Sequence, residues 1–311
     1  VAVLLLSNPA GLDHETGSGH PERIARLRAV NAALDAPEFA ALIREEAPAA
    51  TRDQLGRVHP AAYIDRVLGT RPAPGKLVRL DPDTVMSAGS AEAALHGAGG
   101  AIAAVDAVQS GRVQAAFVAT RPPGHHAEPE RAMGFCFFSN AAIAAHHARA
   151  AWGRQRVAVL DFDVHHGNGT QAVAWNDADF FFGSSHQYPF YPGTGGLGET
   201  GIAGQIVNAP LAAYSGRAAF EAAWTGRILP ALDRFAPDCI IVSAGFDAHR
   251  DDPLAQLELE AEDFAWITRA IMSAADRLTE GRIVSLLEGG YDLDALAASA
   301  AAHVRTLLAA A

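Results

Sequence analysis

Cysteine is scarce in this 311-residue chain. Cys136 and Cys239 are the only two, and each sits in an apolar stretch, "GFCFF" and "PDCIIV". A disulfide framework is unsupported; two buried free thiols in a reducing compartment, the cytoplasm, are expected. Positive charge is short as well. The 24 Lys and Arg face 35 Asp and Glu, a formal net charge of −11. Phosphate binding needs a basic face, so nucleic acid is not an expected partner, whereas a cationic substrate is compatible with the charge. No apolar run is long enough for a bilayer. The opening "VAVLLL" is too short to span one and lacks a cleavage-like flank, so it reads as the first strand of a soluble chain with no membrane partner. No segment repeats with the period of a solenoid, and no Pro/Gly/Ser-rich linker divides the chain. One domain over residues 1–311 is the expectation.

What is present is a rhythm of apolar run, loop and Ala-rich helix. Strands are expected at 1–6, 114–119, 156–161, 179–184, 205–209, 239–244 and 282–287. They are continuously apolar rather than alternating, which suits a parallel sheet covered on both faces and hence an α/β fold. Helices are expected at 22–35, 60–68, 90–109, 139–151, 216–235, 260–278 and 293–309, with Pro21 in the first turn of the first. The loop "SSHQYPFYPGTGGLGETG" (184–201) lies inside this alternation and is expected to serve a site.

Polar clusters follow the strands at one end. Residues 114–119 lead to "RPPGHHAE", 156–161 to "DFDVHHGNG", 239–244 to "GFDAHRDD" and 282–287 to "EGGYDLD". Ligands of open α/β sheets bind at the carboxyl ends of strands, so the four loops are expected to form one site. Asp163 and His165 are two apart, and in an extended segment their side chains share a side. Asp247, after another strand, is the best third ligand. Two carboxylates and an imidazole suit zinc or Fe(II) better than Mg or Ca. A lone D-x-H also fits a turn cap; four clusters at corresponding strand ends favour the metal. His125 and His126 follow a stiff Pro-Pro-Gly turn, and one of them can take a proton from an attacking water. Asp161 is free to orient a histidine. Tyr291 follows Gly289 and Gly290, where a backbone can approach a ligand closely, and its phenol can donate to an oxyanion. "EGGYD" alone would be read as a turn.

Together the four motifs resemble the zinc-dependent histone deacetylase family, which includes acetylpolyamine amidohydrolases and bacterial deacetylase-like amidohydrolases. The resemblance runs from "GSGHPERIARL" to "EGGYDLDAL", and "EGGY", "GFCFFSN" and "HHGNGTQ" look like its class II branch. It implies a three-layer α/β/α domain on a mostly parallel sheet, related to arginase, in a bacterial cytoplasm. It implies zinc on Asp163, His165 and Asp247, His126 as general base and then acid, and His125 as an electrostatic partner oriented by Asp161. Asn168 stands where some branches carry a second Asp that orients the other histidine. Tyr291 would polarise the amide carbonyl. Gly134, Phe135 and Tyr191 would line a narrow tunnel, with Gly289 also against the substrate. One potassium site would match Asp161, Asp163, His165, Ser184 and Ser185, and a second Ala174, Asp177, Phe180 and Phe220. Arg23 would lie by an internal acetate channel, or be an exposed helix arginine. Asp83 would touch substrate at the rim, or cap a loop.

The implied substrate is an acetylated lysine side chain or an acetylated polyamine. Polyamine-selective relatives tend to place acids at the tunnel mouth; Leu254, at a rim position, is apolar and leans toward acyl-lysine. A ureohydrolase with two manganese ions needs a further carboxylate, as in D-x-H-x-D, and that position is Gly167. A non-catalytic metal-binding module would be favoured by loss of a catalytic group, and His125, His126 and Tyr291 are all present.

Overall fold

Apolar continuity decides the sheet. In the computed structural model, which describes residues 2–310, the strands are β1 (Val3–Ser7), β2 (Ile43–Glu46), β3 (Val78–Arg79), β4 (Val85–Met86), β5 (Ala115–Ala119), β6 (Val157–Asp161), β7 (Phe180–Gln187), β8 (Ile206–Leu211), β9 (Cys239–Ala244) and β10 (Ile283–Leu287). Eight of them form one sheet in the order β2-β1-β5-β10-β9-β6-β7-β8. Every pairing in it is parallel. The strands β3 and β4 make a separate antiparallel pair.

The helices are α1 (Ile24–Leu34), α2 (Arg52–Leu55), α3 (Ala61–Gly69), α4 (Ser90–Gln109), α5 (Asn140–Trp152), α6 (Asn168–Ala174), α7 (Arg217–Ala223), α8 (Leu229–Phe235), α9 (Ala261–Leu278) and α10 (Leu293–Ala310). Successive strand residues point to opposite faces. Leu5, Phe117 and Leu160 pack with α1, α8, α9 and α10; Leu4, Val118 and Val159 pack with α4 and α5. The result is a three-layer α/β/α arrangement, as expected. A third cluster, with Leu55, Tyr63 and Val67 under Phe137 and Phe138, supports the loop after β5. There His59 accepts the Ser139 N–H at 3.0 Å and bonds the Pro129 carbonyl at 2.9 Å.

Three departures from the sequence expectation have local causes. The 216–235 helix is interrupted by a π turn over Trp224–Ile228. Pro230 has no N–H to continue the ladder, and the wider turn keeps Trp224, Ile228, Leu232 and Phe235 buried. The first helix starts only at Ile24, with Arg23 extended at its cap, so Pro21 precedes the helix rather than opening it. The edge strand β2 is exposed along its length, which is why "IREE" carries no apolar signal.

Candidate metal centre and active site

The loops that follow β5, β10, β9 and β6 come from four strands that are neighbours in the middle of the sheet. They bring Asp163, His165 and Asp247 together, all buried, with one ligand atom from each within 4.8 Å of the others. His165 Nδ1 lies 3.2 Å from Asp163 Oδ1 and 3.1 Å from Asp247 Oδ2. Backbone amides fix the carboxylates. Gly289 N–H donates to Asp163 Oδ2 at 2.8 Å, and Val164 N–H to Asp247 Oδ1 at 2.8 Å. A Cβ on Gly289 would fall 2.1 Å from Asp247 Oδ2, so only glycine fits there. Gly289, expected against the substrate, thus buttresses the acid pair.

The trio's charges call for a cation. Burial and the Asp163 charge push Asp247 up to about 7. Burial opposes protonation of His165, yet its bonds to Asp163 and Asp247 lift it to about 10. A proton on Nδ1 would be shared between two buried carboxylates; a divalent ion neutralises them more fully, and the donor set of one nitrogen and two oxygens fits one.

The histidine pair sits alongside, with ring centroids 4.0 Å apart. His125 Nδ1 is 2.9 Å from Asp161 Oδ2, and His126 Nδ1 is 2.8 Å from Asn168 Oδ1. Their environments diverge. Burial lowers both, but for His125 the charges of Asp163 and Asp161 outweigh it and hold the ring well above the usual range. For His126 burial is reinforced by His125 and His165, and the ring is held well below it. Environments that push two titratable groups apart mark an acid–base assignment.

Aromatic rings enclose the space in front. Phe135 meets Tyr291 at 5.9 Å, and Tyr191 stands edge-on to His126 at 5.2 Å. Phe190, which the motif reading passed over, stacks on His165 at 5.5 Å; its place beside Tyr191 in "PFYPG" was the available signal. Gly134 lies at φ 55, and a Cβ there would meet the His126 ring at 2.3 Å. Asp83 Oδ1 accepts the Gly134 N–H at 3.1 Å, so it caps the tunnel loop. Leu254 is half-buried; its N–H bonds Asp252 Oδ1 at 2.9 Å, and the other oxygen of Asp252 holds the Tyr291 N–H at 2.7 Å.

Glu288 was also missed, although an acid inside an apolar strand end is a visible anomaly. Its Oε2 accepts from Gly124 N–H at 2.7 Å and His125 N–H at 3.2 Å, and Oε1 from the Ser243 hydroxyl at 3.0 Å. Burial pushes its carboxyl up to about 7.

Of the two readings of Arg23 the exposed one holds, with the residue at the N-cap of α1 rather than within it. The buried arginine is Arg26, one turn in. It bonds the carbonyls of Gly290 and Glu288, lies 4.8 Å over the Tyr291 ring and pairs with Glu22 at 2.9 Å. Glu22 also holds Arg121. Of the second potassium set, Ala174, Asp177 and Phe180 are adjacent: Asp177 N–H donates to the Ala174 carbonyl and Phe180 N–H to the Asp177 carbonyl, each at 3.1 Å. The Phe220 side chain packs in the cluster on the other face of the sheet. The Ala174 carbonyl also accepts the Gln205 side-chain amide at 2.9 Å. Members of the first potassium set do sit side by side. Asp161 is in register with Ser184, and Ser185 Oγ accepts the Trp224 indole N–H at 3.0 Å.

The chain is 43% identical over 279 residues to the histone deacetylase-like amidohydrolase of Pseudomonas aeruginosa, covering 88% of this chain and 73% of that one. It is 37% identical to the chloroplastic histone deacetylase 14 of Arabidopsis thaliana, over 99% of this chain and 77% of the other. Its fold superposes on the crystal structure of the HDA15 HD domain with a TM-score of 0.92 at 34% identity, over 99% of this chain and 89% of that one. The family model described as "Histone deacetylase domain" matches residues 20–307, a span that holds every residue of the centre, and the chain belongs to that family of deacetylases and amidohydrolases.

Proposed function

We propose that the chain is a zinc-dependent amidohydrolase that removes acetyl or similar short acyl groups from the amine of acyl-lysine in proteins or peptides. The observation that carries this reading is the opposed pair of histidines set against the buried Asp163, His165 and Asp247 trio. Asp163, His165 and Asp247 would hold a zinc ion, which would supply Lewis acidity toward the acyl carbonyl and make an attacking water more acidic. His126, kept neutral by its burial, takes the proton of the attacking water. His125, whose Nδ1 is paired with Asp161 Oδ2 at 2.9 Å, stabilises the negative charge that develops. Tyr291, whose phenol burial keeps protonated, donates to the carbonyl oxygen as that charge grows. His126 then returns its proton to the leaving amine. Phe135, Phe190 and Tyr191 grip an apolar methylene stem and exclude water.

One catalytic metal, rather than two, is supported by Gly167, where a Cβ would lie 2.3 Å from Asp161 Oδ2, so a further ligand carboxylate has no room. The apolar Leu254 favours acyl-lysine over polyamine. We also assign a structural potassium ion to Asp161, Asp163, His165, Ser184 and Ser185, and a reducing cytoplasm to the buried, unpaired Cys136 and Cys239. No described helix is long and apolar enough to cross a membrane. The test is a panel of acetyl-, propionyl- and trifluoroacetyl-lysine peptides and acetylated polyamines with zinc-loaded protein. Turnover of the peptides above the polyamines is expected. Preference for polyamines overturns the substrate assignment, and no hydrolysis of any amide overturns the reaction.

A further inference from the structure

The amide of Asn168 has one acceptor end and one donor end, and its surroundings allow one orientation. Its Nδ2 lies 2.8 Å from Glu128 Oε1, 3.4 Å from the His126 carbonyl oxygen and 3.3 Å from Met133 Sδ. All three only accept hydrogen bonds once Glu128 is a carboxylate. Turning the amide over would set its oxygen among three acceptors. Among the described residues, the one hydrogen-bond partner of Oδ1 is His126 Nδ1, at 2.8 Å. An oxygen there can be satisfied only by a ring N–H. The neutral His126 ring therefore carries its proton on Nδ1 and leaves a lone pair on Nε2.

Glu128 is the strongest of the three acceptors, and its position is built. It closes a tight turn in which its N–H donates to the Arg131 carbonyl at 3.0 Å and its carbonyl accepts from Arg131 N–H at 3.3 Å. It is half-buried, and its side chain hydrogen-bonds Asn168 rather than any residue of the trio.

We propose that Glu128 is a positioning residue that sets the ring tautomer of His126 by fixing the direction of the Asn168 amide. The consequence for the reaction rests on the reading of His126 as the base. A bare Nε2 can receive a proton; an Nε2–H cannot.

The test is a set of Glu128 variants prepared with 15N-labelled histidine and studied as zinc-loaded protein. Long-range proton–nitrogen correlation spectra report which ring nitrogen of His126 is protonated, and kcat and KM on an acetyl-lysine peptide are measured alongside. Glu128→Gln can still present a carbonyl to Asn168; Nδ1–H and a kcat within a few-fold of the parent are expected. Glu128→Lys presents a donor; Asn168 turns over, His126 becomes Nε2–H, and kcat falls by about 10²-fold or more at little change in KM, the ordinary worth of a general base being about 10²–10⁴. If the lysine variant does not fold, Glu128→Met replaces it, with a mixture of the two tautomers expected. An Nε2–H ring in the parent protein, or Nδ1–H retained in full in the lysine or methionine variant, overturns the proposal. A ring that inverts while kcat stays normal upholds the role of Glu128 and instead overturns His126 as the base.

Discussion

Tyr291 and Asn168 are single residues whose worth can be read directly. Removing one oxyanion donor costs about 10²–10³ in kcat, so Tyr291→Phe should lose that much while keeping its metal, by metal analysis, and its melting temperature. Near-normal turnover would make the phenol structural. Asn168 contributes orientation without charge. A carboxylate in its place would raise the pKa of His126, which burial now holds low. Activity falls as pH drops through the base's pKa, so the acidic limb of kcat/KM should move to higher pH. Because Glu128 lies within 2.8 Å of the amide it would face, Asn168→Asp alone must share a proton between two carboxylates. The double variant Asn168→Asp/Glu128→Gln should show the larger shift, and a limb that stays in place in fully metallated protein would contradict this. Most of the site was legible at this scale because ligand and acid–base chemistry uses few residue types at short spacing. Asp163, His165, His125 and His126 announce themselves; Tyr291, in what alone reads as a turn, is picked out only by its company with the other motifs. Glu128 is not picked out at all, since its role depends on a bond to a residue 40 positions away in sequence.

Elements carry information that depends on where each begins. The start of α1 after Arg23 turns that side chain to solvent and sends Arg26 inward, and no pattern in "HPERIARL" distinguishes a helix starting at residue 22 from one starting at 24. Strands were legible wherever both faces are covered, as in β5, β6, β9 and β10; the exposed edge β2 and the Gly- and Thr-bearing α6 were not. Glu22, just ahead of α1, joins that helix to the end of β5 through Arg26 and Arg121, all three fully buried. Breaking a buried pair by removing one partner costs about 3–5 kcal/mol. Glu22→Gln should lose roughly that in urea unfolding. Burial opposes the Glu22 charge, but the arginines hold its carboxyl well below its ordinary 4.5. Its contribution is therefore complete above that pH and is lost as pH falls through the lower folded value. The gap between parent and variant should shrink on acidification; a gap independent of pH would show that the charge is not what Glu22 contributes.

At the scale of the whole molecule, buried neutral histidines set the acid limit. Burial pulls His303 down to about 3, and His59 and His186 to about 4. In the unfolded chain each titrates near its ordinary 6.5. Between those values the unfolded state binds more protons, so stability is lost as pH falls, by about 1.4 kcal/mol per unit for each such ring. Glu288, pushed up to about 7, acts in the opposite sense over the same range, so the rings are read by difference: His303→Phe should flatten the fall in unfolding free energy between pH 7 and 5, and an unchanged slope would contradict the burial of His303 in neutral form. The order of the strands has a further consequence, for synthesis on the ribosome. The place between β5 and β9 is filled by β10, which is made after every other strand. Until residues 283–287 emerge, both neighbours keep an open edge that can pair with another chain. The segment that closes the gap also delivers Glu288, Gly289 and Tyr291, so a nascent chain can hold its metal ligands and still be unable to finish its active centre.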